Sequence, residues 1–135
     1  MRTAMRIGSW LSILTGTLHL LAHFKGLEPT NDAERTMLDM MARLRFDAGG
    51  VERTMMDLFG GLSLAFSALF FLMGFHGLRL ARSEDGSVRR EAAFAYATTA
   101  AVLTGLGLLY LPTPPIVLTA LMTVAYVVAA ARGGR

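Results

Sequence analysis

The chain has 135 residues, enough for one domain, of which 53% are hydrophobic and 17% charged. A typical soluble domain carries about 25% charged residues, and a chain this short cannot bury so much apolar surface, so lipid is the expected solvent. The formal net charge is +3, but the basic residues flank apolar runs instead of forming a stripe, which argues against nucleic acid as a partner. There is no cysteine, so disulfides, thiolate metal sites and cysteine nucleophiles are excluded.

The first apolar run is Met5 to Phe24, long enough to cross about 30 Å of hydrocarbon as a helix. It follows Arg2 and Arg6, as a signal peptide would. No small-x-small cleavage site follows it, however, so an uncleaved first span is expected over 5–24. Residues 25–54 are polar and charged. Within them Asn31 and Glu34 have capping-box spacing, and Ala33, Met37, Met41 and Leu44 recur at helical spacing. This predicts an amphipathic helix on the membrane surface, broken by Gly49-Gly50; no strand is predicted. The second span is expected over 55–78, interrupted by Asp57 near its start and His76 near its end.

Arg79, Arg82, Ser83, Glu84, Asp85, Gly86, Arg89 and Arg90 read as a charged connector. From Ala92 to Ala131 there are 40 residues without Lys, Arg, Asp, Glu or His. At 1.5 Å per residue that is about 60 Å, twice a bilayer core. Pro112, Pro114 and Pro115 fall near its middle, so it folds back as two spans, 92–111 and 116–131. The expected fold is all-α: a single membrane domain over 1–135, with four transmembrane helices running up-down-up-down. The amphipathic helix lies outside, between the first two.

Lys and Arg placement sets the orientation. With the N-terminus inside, the cytoplasmic side holds Arg2, Arg6, Arg79, Arg82, Arg89, Arg90, Arg132 and Arg135 against three carboxylates. The other side holds Lys25, Arg35, Arg43, Arg45 and Arg53 against seven. Both termini are therefore expected in the cytoplasm of a cell bounded by this plasma (inner) membrane.

Apolar burial cannot drive helices together in lipid; close packing and interhelical hydrogen bonds must. Gly8, Ser12 and Gly16 form a small-residue face on span one, and Gly60, Gly61, Leu64, Ser67 and Gly74 one on span two. Phe59, Phe66 and Phe70 are expected to meet lipid. Trp10, Tyr110 and Tyr126 fit either an interface or the bundle interior.

His19 and His23 are four apart, on one face of span one. Span two begins on the same side, so Asp57, Glu52 and Arg53 are expected at the same level. Ionisable groups at membrane depth are costly, and each is a site hypothesis. Three uses are open for His19, His23, Glu52, Arg53 and Asp57. The cluster locks the two spans; or it forms a pocket for a small or lipid-like ligand, with His19, His23 and Asp57 as acid–base candidates; or His19 and His23 hold a metal such as zinc, with Asp57 or Glu52 as third ligand. Met37, Met40, Met41, Met55 and Met56 lie on the same side, and thioethers suit copper(I), although methionine also fills irregular apolar contacts. His76 falls 19 residues beyond Asp57, about 28 Å down the helix, so no haem is clasped between it and the other histidines. Ser63 and Ser67 have no base at a credible sequence spacing, and no cofactor is implied by any motif. A structural, accessory or ligand-binding membrane protein is expected, in contact with the bilayer and compatible with a homo-oligomer or a membrane complex. A membrane-embedded enzyme is the rival.

Leu18-His19-Leu20, a Pro29-to-Asp32 turn, the Met-rich segment and Arg53-Thr54-Met55-Met56 ahead of Gly60, Gly61 and Ser67 together form a pattern. Over residues 18–78 it resembles a group of small bacterial four-helix integral membrane proteins of uncharacterised activity. The resemblance implies fold and membrane location, and no activity. Related chains often carry an Asn-x-Ser-His inside span two; here Leu62-Ser63-Leu64 and their neighbours lack both Asn and His.

Overall fold

A computed structural model describes residues 2–47, 49–111 and 113–132; Pro112 and Arg135 lie outside these. The elements run α1 (Arg2–Lys25), α2 (Asp32–Arg43), β1 (Arg45–Asp47), β2 (Glu52–Thr54), α3 (Met55–Leu80), α4 (Gly86–Tyr110) and α5 (Thr113–Ala131). Helix dominates, and α3, α4 and α5 are each long and apolar enough to cross a membrane. Although α1 has 24 residues, Ser9, Ser12, Thr15, Thr17, His19 and His23 dilute its apolar character.

Local chemistry explains the ends. Asn31 Oδ1 accepts from Glu34 N at 2.9 Å, capping α2. The Glu34 carboxylate reaches one residue further back than a capping box requires, to Thr30 N at 2.7 Å and the Thr30 hydroxyl at 2.8 Å. The Thr30 amide first, and then its hydroxyl, hold the Glu34 carboxyl below its ordinary pKa. Asp85 caps α4, accepting from Ser87 N at 2.8 Å and Val88 N at 3.3 Å. The Ser87 hydroxyl, followed by these amides, lowers its pKa. With that cap in place α4 starts six residues before Ala92, so Arg89 and Arg90 belong to a helix and not to the connector. Pro114 and Pro115 sit in the first turn of α5, where a missing N–H costs nothing.

The expectation of no strand is corrected. Arg45–Asp47 and Glu52–Thr54 pair antiparallel, with Phe46 opposite Arg53. Gly49 and Gly50 have φ of 70° and 85°, a left-handed conformation that only glycine adopts without strain, and Asp47 Oδ1 accepts from Gly50 N at 2.6 Å. The two glycines therefore turn a hairpin and do not break α2, which has already ended at Arg43 with Leu44 as its C-cap.

In the bundle α1 is central, packing antiparallel along both α3 and α5, while α5 also pairs with α4. A Cβ on Gly8 would lie 2.8 Å from the Tyr126 ring; one on Gly16 would lie 3.1 Å from the Ser67 carbonyl oxygen. On Gly74 it would lie 2.5 Å from Ile13 Cγ1 and 2.8 Å from the Ser9 carbonyl oxygen. Ser12 donates to Gly8 O at 2.9 Å and contacts Met122 Sδ at 3.1 Å and Tyr126 Oη at 3.2 Å. Consecutive helices α3 and α4 touch little; the Tyr96 hydroxyl meets His76 Nδ1 at 2.6 Å near their connector.

Two packing expectations are corrected. Gly61 has nothing within 4 Å of a built Cβ, and Leu64 is exposed, so the small-residue face of α3 begins at Gly60 and continues through Ser67 and Gly74. Phe70 is 8% exposed and belongs to the core, whereas Phe59 and Phe66 are exposed as expected. Tyr126 is fully buried; Trp10 and Tyr110 are exposed.

Along α1 the distribution is inverted relative to a water-soluble protein, Met5 being the one large side chain in its buried set. The buried set includes Ser9, Ser12, Thr15, Ser67 and Thr119, each with a hydrogen-bond partner. Ile7, Trp10, Leu14, Leu18 and Leu21 of α1 are all exposed, at helical spacing. On α1, large apolar side chains outside and small and hydroxylic ones on the packed face are what lipid selects.

Candidate functional site

The antiparallel register of α1 on α3 brings residues near the C-terminal end of α1 against the start of α3. His23 faces Gly60, where a built Cβ would lie 3.5 Å from His23 Cε1. One turn down, His19 Nε2 and Ser63 Oγ are 3.2 Å apart, both half-buried. Phe66 stands edge-on to His19 with ring centroids 6.3 Å apart, and Phe24 edge-on to His23 at 5.4 Å. Two imidazoles and one hydroxyl thus lie along the α1–α3 seam beside two phenylalanine rings.

The other expected members have partners elsewhere. Asp57 closes a capping box on α3: its carboxylate accepts from Thr54 N at 2.9 Å, and its own N–H donates to Thr54 Oγ1 at 3.0 Å. Glu52 lies 3.6 Å from Arg45 across the hairpin, with both side chains largely exposed, and such pairs are worth little. Arg53 donates to the Glu52 carbonyl at 3.1 Å. Among the described residues neither His19 nor His23 has a carboxylate within ion-pair distance. No group of three or more His, Asp or Glu among them is placed to hold a metal ion. Met37 and Met40 are exposed on α2.

Ser63 is the residue that sequence spacing missed. Distance along the chain was the wrong measure; register across the hairpin is the right one. The signal was present in the small-residue faces: once Gly16 sits on Ser67, the next turn outward pairs His19 with Ser63. A hydroxyl and an imidazole at 3.2 Å can lock two helices, and the same two groups are a nucleophile and a base. Among the described residues no carboxylate orients the ring's other nitrogen.

Comparison with protein-family models, with curated proteins and with solved structures finds no match.

Proposed function

We propose that this chain is a four-span integral protein of the plasma membrane, with both termini cytoplasmic, and that it serves as a non-enzymatic structural or accessory bundle. The inverted side-chain distribution of α1 supports a fourth span. Its polar residues turn inward and are satisfied, and its Ile7-to-Leu21 stripe is left for lipid. At 24 residues α1 extends about 36 Å. Lys and Arg placement supports the orientation.

The non-enzymatic reading is carried by one observation: Asp57, Glu52 and Arg53 each have a local partner, and among the described residues no carboxylate reaches His19 or His23. His19 then acts as a hydrogen-bonded rivet between α1 and α3. A second reading, a membrane-embedded acyl-transfer enzyme, is favoured by the 3.2 Å Ser63–His19 pair. A double-mutant cycle separates the two. With His19→Ala and Ser63→Ala, thermal stability in detergent is expected to show a coupling of about 0.6 kcal/mol. A fluorophosphonate probe is expected to leave Ser63 unlabelled. Uncoupled, stability-neutral singles together with His19-dependent labelling of Ser63 would favour the enzyme.

A further inference from the structure

A groove of about 910 Å³ runs along the outer surface of the α4–α5 pair. Its walls change character along its length. At one end stand Arg90 and Glu91; further along come Phe94, Ala97, Ala101 and Val127. Arg90 and Glu91 are exposed, and among the described residues neither makes an ion pair with the other or with a third group. On the four-span reading, which this inference assumes, both charges lie just outside Ala92, at cytoplasmic headgroup level. The stretch from Phe94 to Ala101 then descends about 10 Å into the inner leaflet, most of that leaflet's 15 Å.

The N-terminus of α4 adds no anion site, because Asp85 already takes the amides of Ser87 and Val88. Among the described residues that line the groove, the charged ones are one guanidinium and one carboxylate, adjacent and of opposite sign. A purely anionic headgroup would meet Glu91 unfavourably. A headgroup with a phosphate and a primary ammonium satisfies both, and the small residues below leave room for an acyl chain. We propose that this groove is a binding site for a phospholipid with a phosphoethanolamine headgroup: Arg90 takes the phosphate, Glu91 the ammonium, and the Ala97–Ala101 wall one acyl chain.

The test is native mass spectrometry of the full chain, purified in detergent and titrated separately with phosphatidylethanolamine, phosphatidylcholine and phosphatidylglycerol of identical acyl chains. The first is expected to bind about fivefold tighter than either of the others, the scale of one partly desolvated ionic contact. Glu91→Gln is expected to equalise ethanolamine and choline lipids, and Arg90→Gln to weaken all three. Ala101→Leu, which fills the exposed groove without touching the core, is expected to reduce binding of all three with unchanged melting temperature. Equal binding of the three lipids, preference for the glycerol lipid, or selectivity unaltered in Glu91→Gln would overturn the site and leave the four-span reading standing. A chain that purifies folded without detergent would overturn that reading itself.

Discussion

Replacing Gly74 with valine is expected to separate α1 from α3 and to be among the most damaging single changes in the protein. A Cβ alone would stand 2.5 Å from Ile13 Cγ1, 2.8 Å from Ser9 O and 3.1 Å from Ile13 N. Two of those three atoms are backbone, so no rotamer change relieves the clash; the helices must move apart. Overpacking of a tight interior costs about 1–3 kcal/mol even where side chains can yield. Here the loss also reaches the contacts that follow from close approach, including Gly16 on Ser67 and the Ser63–His19 pair. Gly61→Val is the matched control, since nothing lies within 4 Å of that position, and its effect is expected to stay within about 0.5 kcal/mol. The measurement is the melting temperature of both variants in one detergent. Similar losses in the two would show that glycine content, and not close approach, matters on α3.

Tyr126→Ala is expected to be comparably severe, by the opposite mechanism. The side chain is fully buried. Its ring fills the space that Gly8 leaves on α1, and it packs 5.2 Å from the Tyr96 ring on α4, centroid to centroid. Three helices therefore meet on one residue. Truncating a large buried aromatic costs about 3–5 kcal/mol, partly from the cavity left behind. Tyr126→Phe keeps the ring and loses only the hydroxyl contacts to Ser12 at 3.2 Å and Ser9 at 3.5 Å. Its expected cost is about 0.6 kcal/mol, the average for an interhelical hydrogen bond in a membrane. Detergent melting of the two variants checks the order. A phenylalanine variant as unstable as the alanine one would mean that the hydroxyl network, and not the packed ring, holds α5 to α1.

Much of this architecture was readable from the chain. Apolar run length located α1, α3, α4 and α5, because hydrocarbon leaves the backbone few alternatives to helix. Four-residue spacing identified Gly8, Ser12 and Gly16 as the contact face of α1, since only small residues permit such approach. The Asn31 cap and the prolines at the start of α5 were local signals with local causes. Misreadings arose where one residue had two uses. Asp57 reads as a costly intramembrane charge, yet Thr54-x-x-Asp57 is also a helix-start pattern, and the cap prevailed because its partners are three residues away and always present. Phe70 reads as lipid-facing by composition, but its rotation about α3 is set by Ser67 and Gly74 beside it. The hairpin at 45–54 was hidden by its brevity: three-residue strands leave no periodicity to detect. The candidate site was half legible, its histidines by face and its serine only through interhelical register.

Of the four proposed spans, α1 is the one on which the bundle depends most, because its sequence is the most polar and it packs between α3 and α5. The chain has no cysteine, so single cysteines can be introduced one at a time and probed in intact cells with a membrane-impermeant maleimide. Thr30→Cys and Thr113→Cys are expected to label from outside. Thr3→Cys and Ser83→Cys are expected to stay unlabelled until the cells are opened. Labelling of Thr3→Cys and Thr30→Cys from the same side would mean that α1 does not cross, and would contradict the bundle proposed here.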